Sequence, residues 1–313
     1  MAPRPSHRLA WALVLALAAP ACDAEEPATA SLPPRPGAAR QGQAEAARAA
    51  VDALLAAPAP ATLLPVLAQG HGVARELLGR HTLEYTADFT LAPEVEARPV
   101  VDRPVALTQG VRDELALRWA AGPGEPVRFH LSQKTDKERG REVMILGEQA
   151  YTRLLHRGWH VRPLDGDVHL RWLDEAQRSV HDVVAFAAPA LAVTAAEEGE
   201  LVRVGLGLAG AVDPAARLGG VARKWRESAE ITAIEGTLTL DRATGLWRSA
   251  EIRVRYTLRD AEGRALRGET HLTGKVEPAP DLQLDAPEGA QPVPERVRYE
   301  VERRRLLDGL AGT

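Results

Sequence analysis

Cysteine is almost missing from this 313-residue chain; Cys22 is the only one. A disulfide framework is excluded, so stability must come from an apolar core. The same count excludes thiol catalysis inside the domain, because Cys22 sits at the end of an N-terminal apolar run. Positive charge is not in excess either: 39 Lys+Arg face 43 Asp+Glu, a net charge of -4. That balance gives no electrostatic case for nucleic acid or for a polybasic membrane surface. Aromatics are only 4% of the chain, although Trp accounts for 6 of them. No serine stands in G-x-S-x-G. The first apolar run, Leu9 to Ala19, is too short to span a bilayer, which takes about 20 apolar residues.

What is present begins with that run. Met1, Arg4, His7 and Arg8 make a basic start, and Leu9 to Cys22 reads LAWALVLALAAPAC. A basic start, an apolar run and a small-residue site form an export signal. Two cleavage rules fit. Ala19 and Ala21 satisfy A-x-A cleavage, which would give a plainly secreted or periplasmic chain. The stretch ending Ala19-Pro20-Ala21-Cys22 also resembles the lipobox of bacterial lipoproteins, whose cysteine becomes the acylated N-terminus. We follow the second rule, because a lone thiol in an exported protein calls for a modification. It implies a signal peptide over 1–21, lipid attachment at Cys22 and a membrane-anchored place in the bacterial cell envelope. Each buried methylene of the acyl chains would add ~0.8 kcal/mol to the anchor. The Pro-rich Asp23 to Gly37 has no apolar periodicity, so 22–37 reads as anchor and tether.

The chain then reads as one domain over 38–280, followed by a Pro-rich segment and a charged C-terminal helix over 281–313. Ala46, Ala47, Ala50, Val51, Leu54 and Leu55 recur at helical spacing, stopped by Pro58 and Pro60. Short helices are expected over 62–68 and through Val73, Leu77 and Leu78. From Leu83 the period becomes two, with Leu83, Tyr85, Ala87, Phe89 and Leu91 on one side. Further alternating segments cover 115–119, 127–131, 142–146, 150–155 and 159–162, joined by short polar turns that imply a meander. A long helix is expected after Asp165 and Asp167, with Leu173, Ala176, Val180, Val183, Ala187 and Leu191 as its buried stripe. Strands resume at 201–208, 231–240, 251–259 and 264–276. The expected fold is α+β: a curved antiparallel sheet, half-barrel-like, packed on helices.

Several constellations suggest chemistry. Gly205 to Gly210 reads GLGLAG and matches G-x-G-x-x-G, but no βαβ unit surrounds it and Asp213-Pro214 falls where the helix should run. His156 and His160 are four apart near Asp165, Asp167 and His169, but Gly158 argues against one helical face, so polar turn residues are the better reading. No metal, cofactor or enzymatic activity is expected. The aromatics Trp119, Phe129, Tyr151, Trp159 and Trp172, with Val254 and Tyr256 of the cleanest strand, are the candidate lining of an apolar cavity between sheet and helix.

An N-terminal helix, a meander broken by a helix, and closing long strands with GTLTLDRATG at Gly236 to Gly245 together resemble the lipoprotein-carrier half-barrel family, LolA/LolB-like and mycobacterial-type lipoproteins. The resemblance covers roughly residues 70 to 278. It implies a curved sheet that wraps helices and encloses an acyl-chain cavity. The expected function is therefore binding or carrying a lipid or another apolar ligand at the membrane. Two other classes remain: a structural envelope protein that binds other proteins through its sheet edge or C-terminal helix, and a secreted hydrolase using His156, His160 and Asp165.

Overall fold

The computed structural model describes residues 36–69, 74–94, 108–164, 173, 176–212, 229–259 and 263–293. The signal and most of the tether, the C-terminal segment after 293, Trp172 and the expected cap at Asp165 and Asp167 lie outside the described residues.

Among the described residues twelve strands form one open sheet. They are β1 (His81–Pro93), β2 (Gln109–Trp119), β3 (Arg128–Thr135), β4 (Gly140–Leu146), β5 (Gln149–Leu154), β6 (His160–Pro163), β7 (Leu191–Glu198), β8 (Leu201–Leu208), β9 (Glu230–Asp241), β10 (Trp247–Arg259), β11 (Ala265–Pro278) and β12 (Gln291–Pro292). Strands β1 to β6 make one antiparallel meander and β7 to β11 a second. The two meet where β1 pairs with β11, from His81 opposite Pro278 to Pro93 opposite Leu266. The two-residue β12 adds a parallel partner to β6 at one edge, and β7 forms the other edge.

The alternation read from the sequence decides the two faces. Leu83, Leu117, Phe129, Ile145, Val204, Leu238, Val254 and Leu272 are buried on one face. Charges fill the other. Lys134 reaches Glu114 at 2.8 Å, and Arg112 bridges Glu114 and Asp88. Register shifts at Trp247/Ser249 and Arg255/Tyr256 bend β10 against β9.

Three α-helices are present among the described residues: α1 (Pro36–Ala56), α2 (Pro60–Ala68) and α3 (Ser179–Ala187). Helix α1 buries Ala47, Val51 and Leu54, the spacing that predicted it. Its companion α2 starts on Pro60 at the first turn, where a missing N–H costs nothing, and Thr62 accepts the Ala59 N–H. The expected third helix is a single π turn over Ala74–Leu78.

The expected long helix ends earlier than its stripe. Among the described residues Leu173, Ala176, Gln177 and Ser179–Ala187 are helical; Ala188–Ala190 tightens to 3-10, and Leu191 is already extended as the first residue of β7. Pro189 supplies the stop. The buried stripe of α3 runs through Val180, Val184 and Ala187, with Val183 only half-buried. Leu173 and Ala176 are buried as expected.

The turn of GTLTLDRATG ties the sheet to the helices. An oxygen of Asp241 accepts the N–H groups of Ala243 and Thr244 and the Thr244 hydroxyl. Gly245 follows at φ 68°, and a Cβ there would stand 3.1 Å from Val51 and from Val66. Arg242 then bridges Asp52 of α1 at 2.6 Å and Glu197 of β7 at 3.3 Å. The motif thus seats α1 and α2 on the end of β9 and β10.

Candidate functional site

The buried face of the sheet carries the candidate site. On it the rings of His81, Trp119 and Phe129 form a stack, with centroids 6.4 Å and 6.1 Å apart. The Trp119 indole N–H donates to Ala121 O at 2.9 Å, so the ring is fixed. His81 is 0% exposed, and its Nδ1 pairs with Gly79 O at 2.6 Å. Burial holds the imidazole below the usual histidine range, against the opposing pull of that backbone bond. Further along the face, Tyr256 meets Phe186 of α3 edge-on at 5.1 Å. Gly268 opposite makes this possible, because a Cβ there would fall inside the Tyr256 ring.

Among the described residues, several buried polar atoms have no hydrogen-bond partner. Those next to the inner face and its helices include Nε2 of His81, both amide atoms of Gln177 and the Ser179 hydroxyl. Gln177 is 6% exposed. Buried polar groups normally pair with protein or water, so each of these is open to a guest or a solvent molecule.

One polar row interrupts the apolar face. Asp113, Gln133 and Arg141 sit on adjacent strands β2, β3 and β4, on the buried side of the pleat. Gln133 Nε2 donates to both Asp113 oxygens, at 3.0 and 3.4 Å. Arg141 Nε donates to Gln133 Oε1 at 3.2 Å. Asp113 is 9% exposed, and burial raises its carboxyl above the ordinary range, opposed by Gln133 and Arg141. Sequence reasoning missed this row, yet the signal was there. Asp113 lies two before Leu115, Gln133 two after Leu131 and Arg141 two before Val143, all at buried parity.

The expected lining residues divide between the faces. Trp119, Phe129, Val254 and Tyr256 are buried on the helix-packed face. Tyr151 and Trp159 are not with them. Tyr151 pairs with Met144 and Val161 on the outer pleat and is half-buried. Trp159 covers an outer-face cluster, in which Arg153 lies 4.5 Å from its ring and also reaches Glu142 at 2.7 Å. His130 joins the same Glu142 at 3.0 Å. Burial keeps His130 below its ordinary range, partly offset by Glu142. Period-two parity separates these residues, because Tyr151 alternates with the buried Ala150.

Other candidates disperse. His156 is exposed in a turn at φ 63°, His160 is exposed on β6, and Asp165 lies outside the described residues. Gly205 and Gly207 sit within β8, and no helix opens at Gly210 among the described residues. No group of three His, Cys, Asp or Glu side chains among the described residues is arranged to hold a metal. The outer face bears an open groove of ≈ 680 Å³ across the central strands. Its charges are mutually paired: Lys275 lies 3.6 Å from Glu84 and 3.2 Å from Glu277. No described helix is long and apolar enough to cross a membrane. No protein-family model matches the chain, and no curated protein matches it in sequence.

Proposed function

We propose that this chain is an exported protein, anchored to the cell-envelope membrane through acylated Cys22, that binds or carries a lipid or other apolar ligand without catalysing a reaction. The ligand lies between the buried face of the sheet and the helices, in the manner of a half-barrel carrier. The observation that carries this reading is the continuity of the apolar face. Apolar side chains line the inner pleat from β1 to β5 and from β8 to β11, and the long strands β1, β10 and β11 make that face tall. A continuous apolar wall of this extent suits an elongated apolar guest. The unpartnered atoms of His81, Gln177 and Ser179 support the same reading. A featureless acyl chain fits Leu, Val and Ala walls better than a shaped ring does.

The test uses the chain from Asp23 onward, which keeps every described element. A fluorescent fatty acid should be taken up and its emission should rise. Ala87, buried at the centre of β1, becomes the block. Ala87→Trp should abolish uptake while a cooperative thermal transition remains. Failure of the unaltered chain to take up the probe would contradict the proposal. So would an Ala87→Trp protein that no longer folds, since a core filled by the protein itself has no room for the ring. Those outcomes would leave a structural envelope protein that presents its surface to other proteins.

A further inference from the structure

We propose that Asp113, held by Gln133 and Arg141, receives the polar end of the bound molecule, and that this end is an uncharged hydrogen-bond donor such as a hydroxyl. The inference rests on the apolar-ligand reading above and adds where the ligand's head sits and what chemistry it has.

Asp113 is the one carboxylate among the buried polar residues of the described chain, beside His81, Gln177 and Thr270. A carboxylate has about four acceptor positions. Gln133 is its hydrogen-bond partner among the described residues, through a single amide nitrogen. The orientation of that amide is fixed from the other side. Its oxygen takes the Arg141 Nε–H, so only the nitrogen can face Asp113. Acceptor capacity on Asp113 is therefore left over inside a low-dielectric wall, where an incoming donor is strongly favoured.

The surroundings give the ligand a direction. Along β2 the same side of the pleat continues through Leu115, Leu117 and Trp119, all buried, with Leu131 and Phe129 beside them on β3. In the opposite direction lies a rim of apolar residues that are only partly covered. Phe89 and Val111 are half-buried, and Leu154, paired with Arg141 across β4 and β5, is 66% exposed. A polar row set between a wet apolar rim and a dry apolar track is the place for the head of an amphiphile whose chain runs inward.

Charge selects among heads. The Arg141 guanidinium stands behind Gln133, which bonds Asp113 on its other side. A cationic head at Asp113 would face that guanidinium one side chain away, and an anionic head would meet the Asp113 carboxylate. A neutral donor meets neither penalty and gains a bond to an ionised acceptor, the stronger kind.

Displacement of the probe N-phenyl-1-naphthylamine from the chain beginning at Asp23 tests this, with 1-monomyristoylglycerol, tetradecylamine and tetradecane as competitors. The glycerol ester should displace the probe about tenfold more effectively than the alkane, the gain expected for one bond to a charged acceptor. In Asp113→Asn and Asp113→Leu that gap should close to about twofold, while tetradecane displaces as before. Asp113→Asn keeps the shape of the side chain, so its folding is not in question. An unchanged gap in both variants, or tetradecylamine outcompeting the ester, overturns the head-group assignment and leaves the apolar site intact. A chain that binds no probe overturns the apolar site itself.

Discussion

At the scale of the residue, His81 is the clearest cost carried by the core. A fully buried imidazole whose Nε2 has no partner must stay neutral for the chain to fold. Its proton affinity is lowered in the folded state by burial. The unfolded chain takes up the proton first as pH falls through the ordinary histidine value of about 6.5. The unfolded state then binds more protons than the folded one, so stability rises with pH in this window and is lost on acidification below it. We predict that the thermal midpoint falls between pH 7 and pH 5, and that His81→Gln removes part of that fall. The half-buried His130, shifted the same way, retains its share. Calorimetry across that range decides it: an identical pH slope in the variant would mean that His81 is not buried neutral.

At the scale of the element, the long strands were legible and the edge strand was not. Strands β1, β10 and β11 alternate apolar and polar residues over most of their length, and a half-buried sheet demands that period. Strand β7 reads LAVTAAEE, where Ala-rich composition favours helix and the preceding α3 invites continuation. Pairing with β8 overrides that propensity, since each of its eight residues finds a partner from Leu191↔Leu208 to Glu198↔Leu201. The polar row on the buried face was missed for a related reason. Asp113, Gln133 and Arg141 fall just outside the segments 115–119, 127–131 and 142–146 that alternate in the sequence, where polar residues read as turn, whereas β2, β3 and β4 extend through them. The sorting of Tyr151 and Trp159 to the outer face needed only strict parity, which aromatic character had obscured.

The edge offers a local test. Ala209 N–H bonds to Ala190 O at 2.8 Å, and the register then sets the β8-facing bonds of β7 at its even-numbered residues. Thr194 N–H points to β8, and Ala195 N–H points away. Proline removes a donor, so Thr194→Pro should lower the thermal midpoint sharply, by ~3 kcal/mol of stability, whereas Ala195→Pro should cost far less. Equal effects in a denaturation experiment would contradict this edge geometry.

At the scale of the whole molecule, location and function rest on different parts of the chain. The proposed location rests on Cys22 and the run before it, which lie outside the described residues. Changing Cys22 to Ser should move the protein from the membrane fraction to the soluble one, and the mature N-terminus of the unaltered protein should carry acyl chains by mass spectrometry. An unacylated mature N-terminus would return the chain to the secreted class. The α+β sheet fold was largely legible, down to the meander before the helix and the long strands after it. Whether hydrophobic faces meet each other or a guest was not legible, because an apolar side chain is the same in either case.

The central claim, that the buried face holds an apolar molecule, is met most directly by what the protein brings with it. The chain from Asp23 onward, expressed with export and purified without detergent, is extracted with organic solvent and the extract is analysed by mass spectrometry. The account predicts a lipid at a reproducible molar ratio to protein, lower or lost in Ala87→Trp. A protein that yields no lipid, and binds none when offered it, contradicts the account.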